Sequence, residues 1–371
     1  MNFANLTQKT LLTCLFPLFL TGCGGAGDVD IIELQEPIAF ASTADLGGAL
    51  FNDVNLSNTR TQSCATCHAS VRAFTDPRHN SQSTNPNSVG YIARTTGVSV
   101  GDDGFSVGVR NAPTAMYAAL TPKFSKDANG YFGGQFWDGR ASTLEDQAGG
   151  PPLNPVEMQM PDKAAVVERL LENDNYVNAF KGFYGQGIFD DIDQAYAAMT
   201  QAIAAFERTD TFAPFNAKWD AVQANTSTFS NTEALGATLF ADHCMSCHSS
   251  AAFNPNKQTF SDYRYYNLAV PDNQALTGDE DDQGLFENPE VVETSEIGKF
   301  KTPTLRNVAV TAPYLHNGVY KDLKITIAFF NNALNLQLSD GDVDALECFM
   351  RTLTDDNFVA AMPATTQNCS E

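Results

Sequence analysis

Two stretches of the chain have the residue types and spacing for iron chemistry. Cys64-Ala65-Thr66-Cys67-His68 and Cys244-Met245-Ser246-Cys247-His248 both read Cys-x-x-Cys-His. Two thiols one short turn apart can form thioethers to the two vinyl groups of one porphyrin, and the next residue offers an imidazole nitrogen to the iron. The competing chemistry is zinc, which closes four ligands around each ion. No third or fourth cysteine lies near either motif, so the spacing points to two covalently bound c-type haems, with Cys64, Cys67, Cys244 and Cys247 as attachment points and His68 and His248 as iron ligands.

Something must deliver the chain to each motif, and the delivering segment is repeated. Leu46-Gly47-Gly48-Ala49-Leu50-Phe51 precedes the first motif and Leu235-Gly236-Ala237-Thr238-Leu239-Phe240 the second, both with apolar residues at helical spacing. Ser230 and Glu233 form a capping box before the second copy, and Ser42 with Asp45 a weaker one before the first. The repeat predicts a mainly α protein with two cytochrome c-like haem domains and long loops. The expected organisation is a signal peptide over 1–22, a tether over 23–41, an N-terminal haem domain over 42–215 and a C-terminal haem domain over 216–371. Helices are expected over Lys163–Phe180 and Gln194–Arg208, with two short ones before Thr354. Thr75–Arg110 and Asn254–Lys299 read as long polar loops, and Thr209–Phe229 as the crossing between domains.

The composition, 43% hydrophobic, is that of a globular protein, and the formal net charge of −22 argues against nucleic acid. The same charge suits a cationic protein partner or plain solubility. Lys9 followed by the apolar run Leu11–Leu20 reads as an export signal too short for a comfortable membrane span. It ends in Leu20-Thr21-Gly22-Cys23, which resembles a bacterial lipobox and implies a lipid on Cys23; ordinary signal cleavage at the same small residues is the alternative. With Gly24 next, the expected location is the periplasm, anchored to the outer membrane. Export permits a disulfide, and Cys348 and Cys369 are the pair left to form one, unless they are independent thiols.

Between the motifs and after the second one lie further polar and aromatic stretches: Arg110-Asn111-Ala112-Pro113-Thr114, Gln135-Phe136-Trp137-Asp138-Gly139-Arg140, Leu144-Glu145-Asp146-Gln147, Asn154-Pro155-Val156-Glu157-Met158, and Thr311-Ala312-Pro313-Tyr314-Leu315-His316. In this order and with both motifs, from about Leu46 to Thr354, the chain resembles the bacterial di-haem cytochrome c peroxidase/MauG family. The resemblance implies that the first haem is the peroxidatic one and the second passes electrons. It implies a distal pair, Gln147 and Glu157, at the peroxide site, and an indole, Trp137, between the haems. It also implies a calcium ion held by the side chain of Asn111 and the backbone carbonyls of Thr311 and Pro313. A carboxylate can carry the proton that heterolytic peroxide cleavage requires, and an amide can orient the bound oxygen.

The function so implied is reduction of hydrogen peroxide with electrons from a small redox protein. Its alternatives are peroxide-dependent oxidation of residues in a partner protein and a non-catalytic di-haem carrier; a homodimer is also open to the chain. Two positions depart from the family. Many members place a blocking histidine eight residues before the asparagine matching Asn111, where this chain has Asp103, so its first haem is expected to react without prior reduction. The second haem's outer ligand, a methionine or tyrosine fourteen residues after the match to His316, is here Phe330, which has no lone pair to give. His79 reads either as a loose surface histidine or as a ligand to the first iron.

Overall fold

A computed structural model describes residues 40–254, 257–365 and 369–371. The signal peptide, Cys23 and nearly all of the tether lie outside the described residues. The helices, in chain order, are α1 Thr43–Asn52, α2 Cys64–Cys67, α3 Val89–Thr96, α4 Leu144–Ala148, α5 Lys163–Leu171, α6 Asp174–Tyr184, α7 Ile192–Glu207, α8 Lys218–Gln223, α9 Asn231–His243, α10 Leu323–Ala333 and α11 Asp340–Arg351. Two small antiparallel ribbons complete the regular structure: β1 Ser125–Asp127 with β2 Gly130–Phe132, and β3 Tyr265–Tyr266 with β4 Phe300–Lys301. The fold is mainly α, as the repeated segment predicts.

The two copies of that segment fold alike, and the reason is local. Ser42 accepts from the Asp45 backbone N–H at 3.1 Å and starts α1, and Ser230 accepts from the Glu233 N–H at 3.2 Å and starts α9. Each helix then crosses one later helix at a glycine. α1 lies on α7, where a Cβ at Gly47 would stand 1.8 Å from the carbonyl oxygen of Ala202; α9 lies on α11, where a Cβ at Gly236 would stand 2.0 Å from that of Ala345. Around the first crossing lies a cluster with Leu46, Leu50, Phe51, Met199, Ile203 and Phe212; around the second, one with Phe240, Leu346, Phe349, Met350 and Leu353. Burying a side chain of this size contributes about 1.5–3 kcal/mol.

Polar groups stitch the seam between the clusters. The Arg306 side chain is wholly buried, donates to both Asp220 oxygens at 2.5 and 2.8 Å, and lies over the rings of Tyr117, Phe215, Trp219 and Phe260. The Tyr117 hydroxyl donates to buried Asp355, which also accepts from Asn307 Nδ2 at 2.8 Å. Cys348 and Cys369 are bridged, and the tail they hold caps α9: the Ser230 hydroxyl donates to the Cys369 carbonyl at 2.8 Å and the Thr232 N–H to the Glu371 carbonyl at 2.9 Å.

Two loop expectations need correction. The stretch read as a loop from Thr75 to Arg110 contains α3, started by the Ser88 hydroxyl and stopped by Gly97 in the left-handed region (φ 79°). The crossing from Thr209 to Phe229 contains α8, whose Asp220 carboxylate caps it and accepts from Arg306. The helix expected over Lys163–Phe180 is two helices, α5 and α6, because Asn173 breaks the first and caps the second.

The glycine crossing makes a stability prediction. Gly236→Ala gains about 1 kcal/mol of helix propensity, but its methyl meets backbone that cannot rotate away, an overpacking cost of roughly 3 kcal/mol or more. Denaturant unfolding should show a clear net loss of stability. Gly48→Ala, whose methyl would meet only the Phe206 ring at 3.3 Å, should come out near neutral.

Candidate active site

Both motifs close one turn by the same bond. The His68 N–H donates to the Cys64 carbonyl at 2.8 Å, and the His248 N–H to the Cys244 carbonyl at 2.9 Å. Both imidazoles are then fixed the same way: Nδ1 donates to a backbone carbonyl, that of Phe74 at 3.0 Å for His68 and that of Phe260 at 2.8 Å for His248. A carbonyl only accepts, so Nδ1 carries the proton and Nε2 keeps its lone pair for iron. Phe74 and Phe260 both sit in the left-handed region, at φ 54° and 55°, a conformation unusual for a bulky residue. Burial pushes the Cys64 and Cys244 thiols up to about 12 and holds both histidines below their usual range. Sites that disfavour a thiolate and an imidazolium suit two uncharged thioethers and a neutral axial histidine, so the residues fit c-type haem.

A chain reversal lies near the first motif. The Thr143 hydroxyl starts α4, which carries half-buried Gln147 in its last turn. After it the backbone folds back, with Met158 N–H donating to the Pro151 carbonyl at 3.2 Å and Met160 N–H to that of Pro152 at 2.9 Å. This reversal brings the Glu157 segment back beside the end of α4. Burial raises the Glu157 carboxyl above the usual carboxylate range, opposed by Arg140 and by Asn154, whose Nδ2 donates to Oε1 at 2.9 Å. Glu157 lies close enough to both motif thiols to raise them further. Sequence reasoning did not single out Asn154 and Arg140. Nor did it find Glu207 at the end of α7, a carboxyl that burial raises to about 8 and that also acts on Cys64.

The pocket at the second motif is a cavity of about 530 Å³ that has His248, Trp137, Phe300, Phe330 and Met350 among its lining residues, within the size range of small-molecule and cofactor sites. Trp137 is 8% exposed and locked: its Nε1 donates to the Asn111 carbonyl at 2.8 Å, and its own carbonyl accepts from the Lys301 N–H at 2.9 Å. The next residue, Asp138, is fully buried between Arg110 and Arg140, at 2.5 and 2.7 Å. Lys301 was not expected: its ammonium donates to the Gly134 carbonyl, and burial lowers it to about 8. Asn111 is the node of the region. Its N–H donates to the His316 carbonyl at 2.6 Å, and its side-chain amide lies 2.7 Å from the Pro313 carbonyl oxygen. Thr311 lines the same cavity.

Asp103 is spent on its own turn. It accepts from the N–H groups of Phe105 and Ser106 at 3.0 and 2.8 Å and from the Ser106 hydroxyl at 2.5 Å. These bonds, working against some desolvation, hold its carboxyl down at about 2. His79 is not a loose surface group: it sits in the turn Pro77–Asn80, and burial lowers its pKa despite nearby Asp76. Its neighbour Arg78 reaches the Cys67 sulfur at 3.0 Å.

With this geometry in view, the comparisons with known proteins agree on one class. Residues 41–228 match the family described as di-haem cytochrome c peroxidase. The chain is 41% identical to the methylamine utilization protein MauG of Paracoccus denitrificans, over 93% of this chain and 95% of that one. It is 31% identical to the cytochrome c551 peroxidase of Pseudomonas aeruginosa, over 87% and 82%. The crystal structure of the di-haem peroxidase BthA from Burkholderia thailandensis superimposes with a TM-score of 0.78 at 29% identity, over 90% of each chain. The chain belongs to the di-haem cytochrome c peroxidase/MauG family and is an oxidoreductase carrying two c-type haems.

The bound state of Asp103 makes a prediction. The as-isolated ferric protein should react with hydrogen peroxide on mixing, with no reductant added, as followed by stopped-flow absorbance. Inertness until half-reduction would show that another group closes the first iron.

Proposed function

We propose that the protein is a periplasmic peroxidase that reduces hydrogen peroxide to water with electrons from a small redox protein. The observation that carries this reading is the half-buried carboxyl of Glu157 near the first motif, raised by desolvation. A plain electron carrier has no use for an acid–base group held there. The first haem, when bound, supplies the iron at which the oxygen–oxygen bond is cleaved. Asn154 occupies Oε1 of Glu157, which leaves Oε2 to take the proton of the near peroxide oxygen and return it to the departing one. A carboxyl held above its usual range suits a group that must both accept and release a proton. Gln147 serves as the neutral donor that orients the bound oxygen. Trp137, fixed at both its indole and its backbone, shortens the electron path to the cavity of the second haem.

Four parts of the reading have separate support. Calcium fits the seam because Asn111 and Pro313 already bring their polar atoms together. Amide oxygen and nitrogen are interchangeable by rotation, so Oδ1 can join the carbonyls of Thr311 and Pro313 as hard oxygen ligands. The lipobox supports outer-membrane anchoring through Cys23, and the acidic charge supports a cationic donor. Divisions at 42–215 and 216–371 are supported by the two hydrophobic clusters, each built on its own glycine crossing. The 41% identity to MauG of Paracoccus denitrificans favours a second reading, in which the electrons come from residues of a partner protein. Steady turnover with a reduced small cytochrome or copper protein separates the two readings.

The role of Glu157 is tested directly. Glu157→Gln should lower the rate of peroxide cleavage by about a hundredfold, the usual worth of a positioned acid–base group. In the wild type the rate should rise with pH through the raised Glu157 pKa, since only the carboxylate can accept the proton, and that limb should vanish in the variant. A near-normal rate with an unchanged pH profile would remove Glu157 from the mechanism.

A further inference from the structure

We infer that the second haem keeps an open axial face, and that this face is a binding site for small neutral diatomic ligands such as carbon monoxide or nitric oxide. The inference rests on the haem-binding role of the second motif and goes beyond the peroxide chemistry assigned to the first.

His248 offers Nε2 on one side of the cavity, because its Nδ1 is committed to the Phe260 carbonyl at 2.8 Å. The helix α10 lines the same cavity with Leu323, Thr326, Ile327, Phe330 and Leu334. These positions recur at intervals of three and four and form one helical face. Four of the five side chains are hydrocarbon. The fifth, Thr326, donates its hydroxyl back to the Asp322 carbonyl at 2.8 Å, and an alcohol oxygen so held is a poor iron ligand. The α10 face therefore carries no thioether, imidazole or phenol.

Two polar groups that line the cavity away from α10 are engaged elsewhere. The Tyr314 hydroxyl donates to the Val308 carbonyl at 2.9 Å, and the Lys301 ammonium to that of Gly134. His316 is stacked on Phe300 with ring centroids 3.5 Å apart. Met350, on α11, is buried in the cluster that also holds Phe240 and Phe349.

What such a face accepts follows from its chemistry. An anion or a peroxide gives up strong hydration to bind, and a hydrocarbon wall returns no hydrogen bond. A neutral diatomic molecule loses almost nothing and needs only space. The α10 face thus differs in polarity from the surroundings of the first motif: an acid and an amide there, mostly hydrocarbon here.

Carbon monoxide titration of the dithionite-reduced holoprotein, read by optical spectroscopy, tests this. The wild type should bind two equivalents. Phe330→Met places a thioether on the same face and should lower the count by one, with a low-spin methionine-ligated spectrum at one haem. Phe330→Leu adds no donor and should keep the wild-type count. A wild type that binds one equivalent and a Phe330→Met variant that also binds one would overturn the inference. So would a methionine or bis-histidine signature at the second haem of the untreated protein, which would place Met350 or His316 on the iron. Counts of one in the wild type and none in Phe330→Met would uphold the open second face and count instead against an accessible first haem. Should Phe330→Met fail to fold, the wild-type count and its electron paramagnetic resonance spectrum still decide the matter.

Discussion

Asn111 is the residue on which the wall of the cavity at the second motif depends. Its backbone N–H, backbone carbonyl and side-chain amide each have one partner: the His316 carbonyl, the Trp137 indole and the Pro313 carbonyl. Two of these partners lie about two hundred residues further along the chain. Each is buried or nearly so, where an unmade hydrogen bond costs about 1–3 kcal/mol. The position of the indole is therefore set by the same residue that ties the N-terminal part of the chain to the segment entering α10. Any displacement of that segment moves the cavity wall and Trp137 together.

Around this node, one structural unit is used twice and then put to different ends. Glycine crossings at Gly47 and Gly236, turn closure at Cys64 and Cys244, and left-handed Phe74 and Phe260 recur because each solves the same problem: holding an imidazole by Nδ1, with Nε2 free, beside two thiols that would take a haem. Nothing in that solution specifies the opposite face. At the first site, the reversal after α4 supplies Glu157 and Gln147. At the second, α10 supplies a hydrocarbon face. The chemistry separates on the side of the haem that the repeated unit leaves undetermined.

The parts that were legible in the sequence are those fixed by neighbours in the chain. The motifs, the Ser230–Glu233 box and the apolar spacing of α1 and α9 act over one or two turns, and so does Asn173, whose break between α5 and α6 was nevertheless passed over. α3 was missed because its apolar residues are few, although Ser88 and Gly97 mark its ends. Gln147, Glu157, Trp137 and Asn111 were found through a resemblance rather than by spacing, since each acts across a long-range contact. Asn154, Arg140, Lys301 and Glu207 carried no such signal. Their importance comes from what lies beside them in space, and for Glu207 also from burial, which the sequence does not show.

The proposed electron path runs between the two sites through the indole held by Asn111. Rapid mixing of the ferric holoprotein with one equivalent of hydrogen peroxide, followed by rapid-scan absorption and freeze-quench electron paramagnetic resonance, tests it most directly. Signals from both haems should change within a single turnover, and in Trp137→Phe the early change should be confined to the first haem. A wild-type response confined to one haem, or a Trp137→Phe variant in which both respond at the wild-type rate, would contradict it.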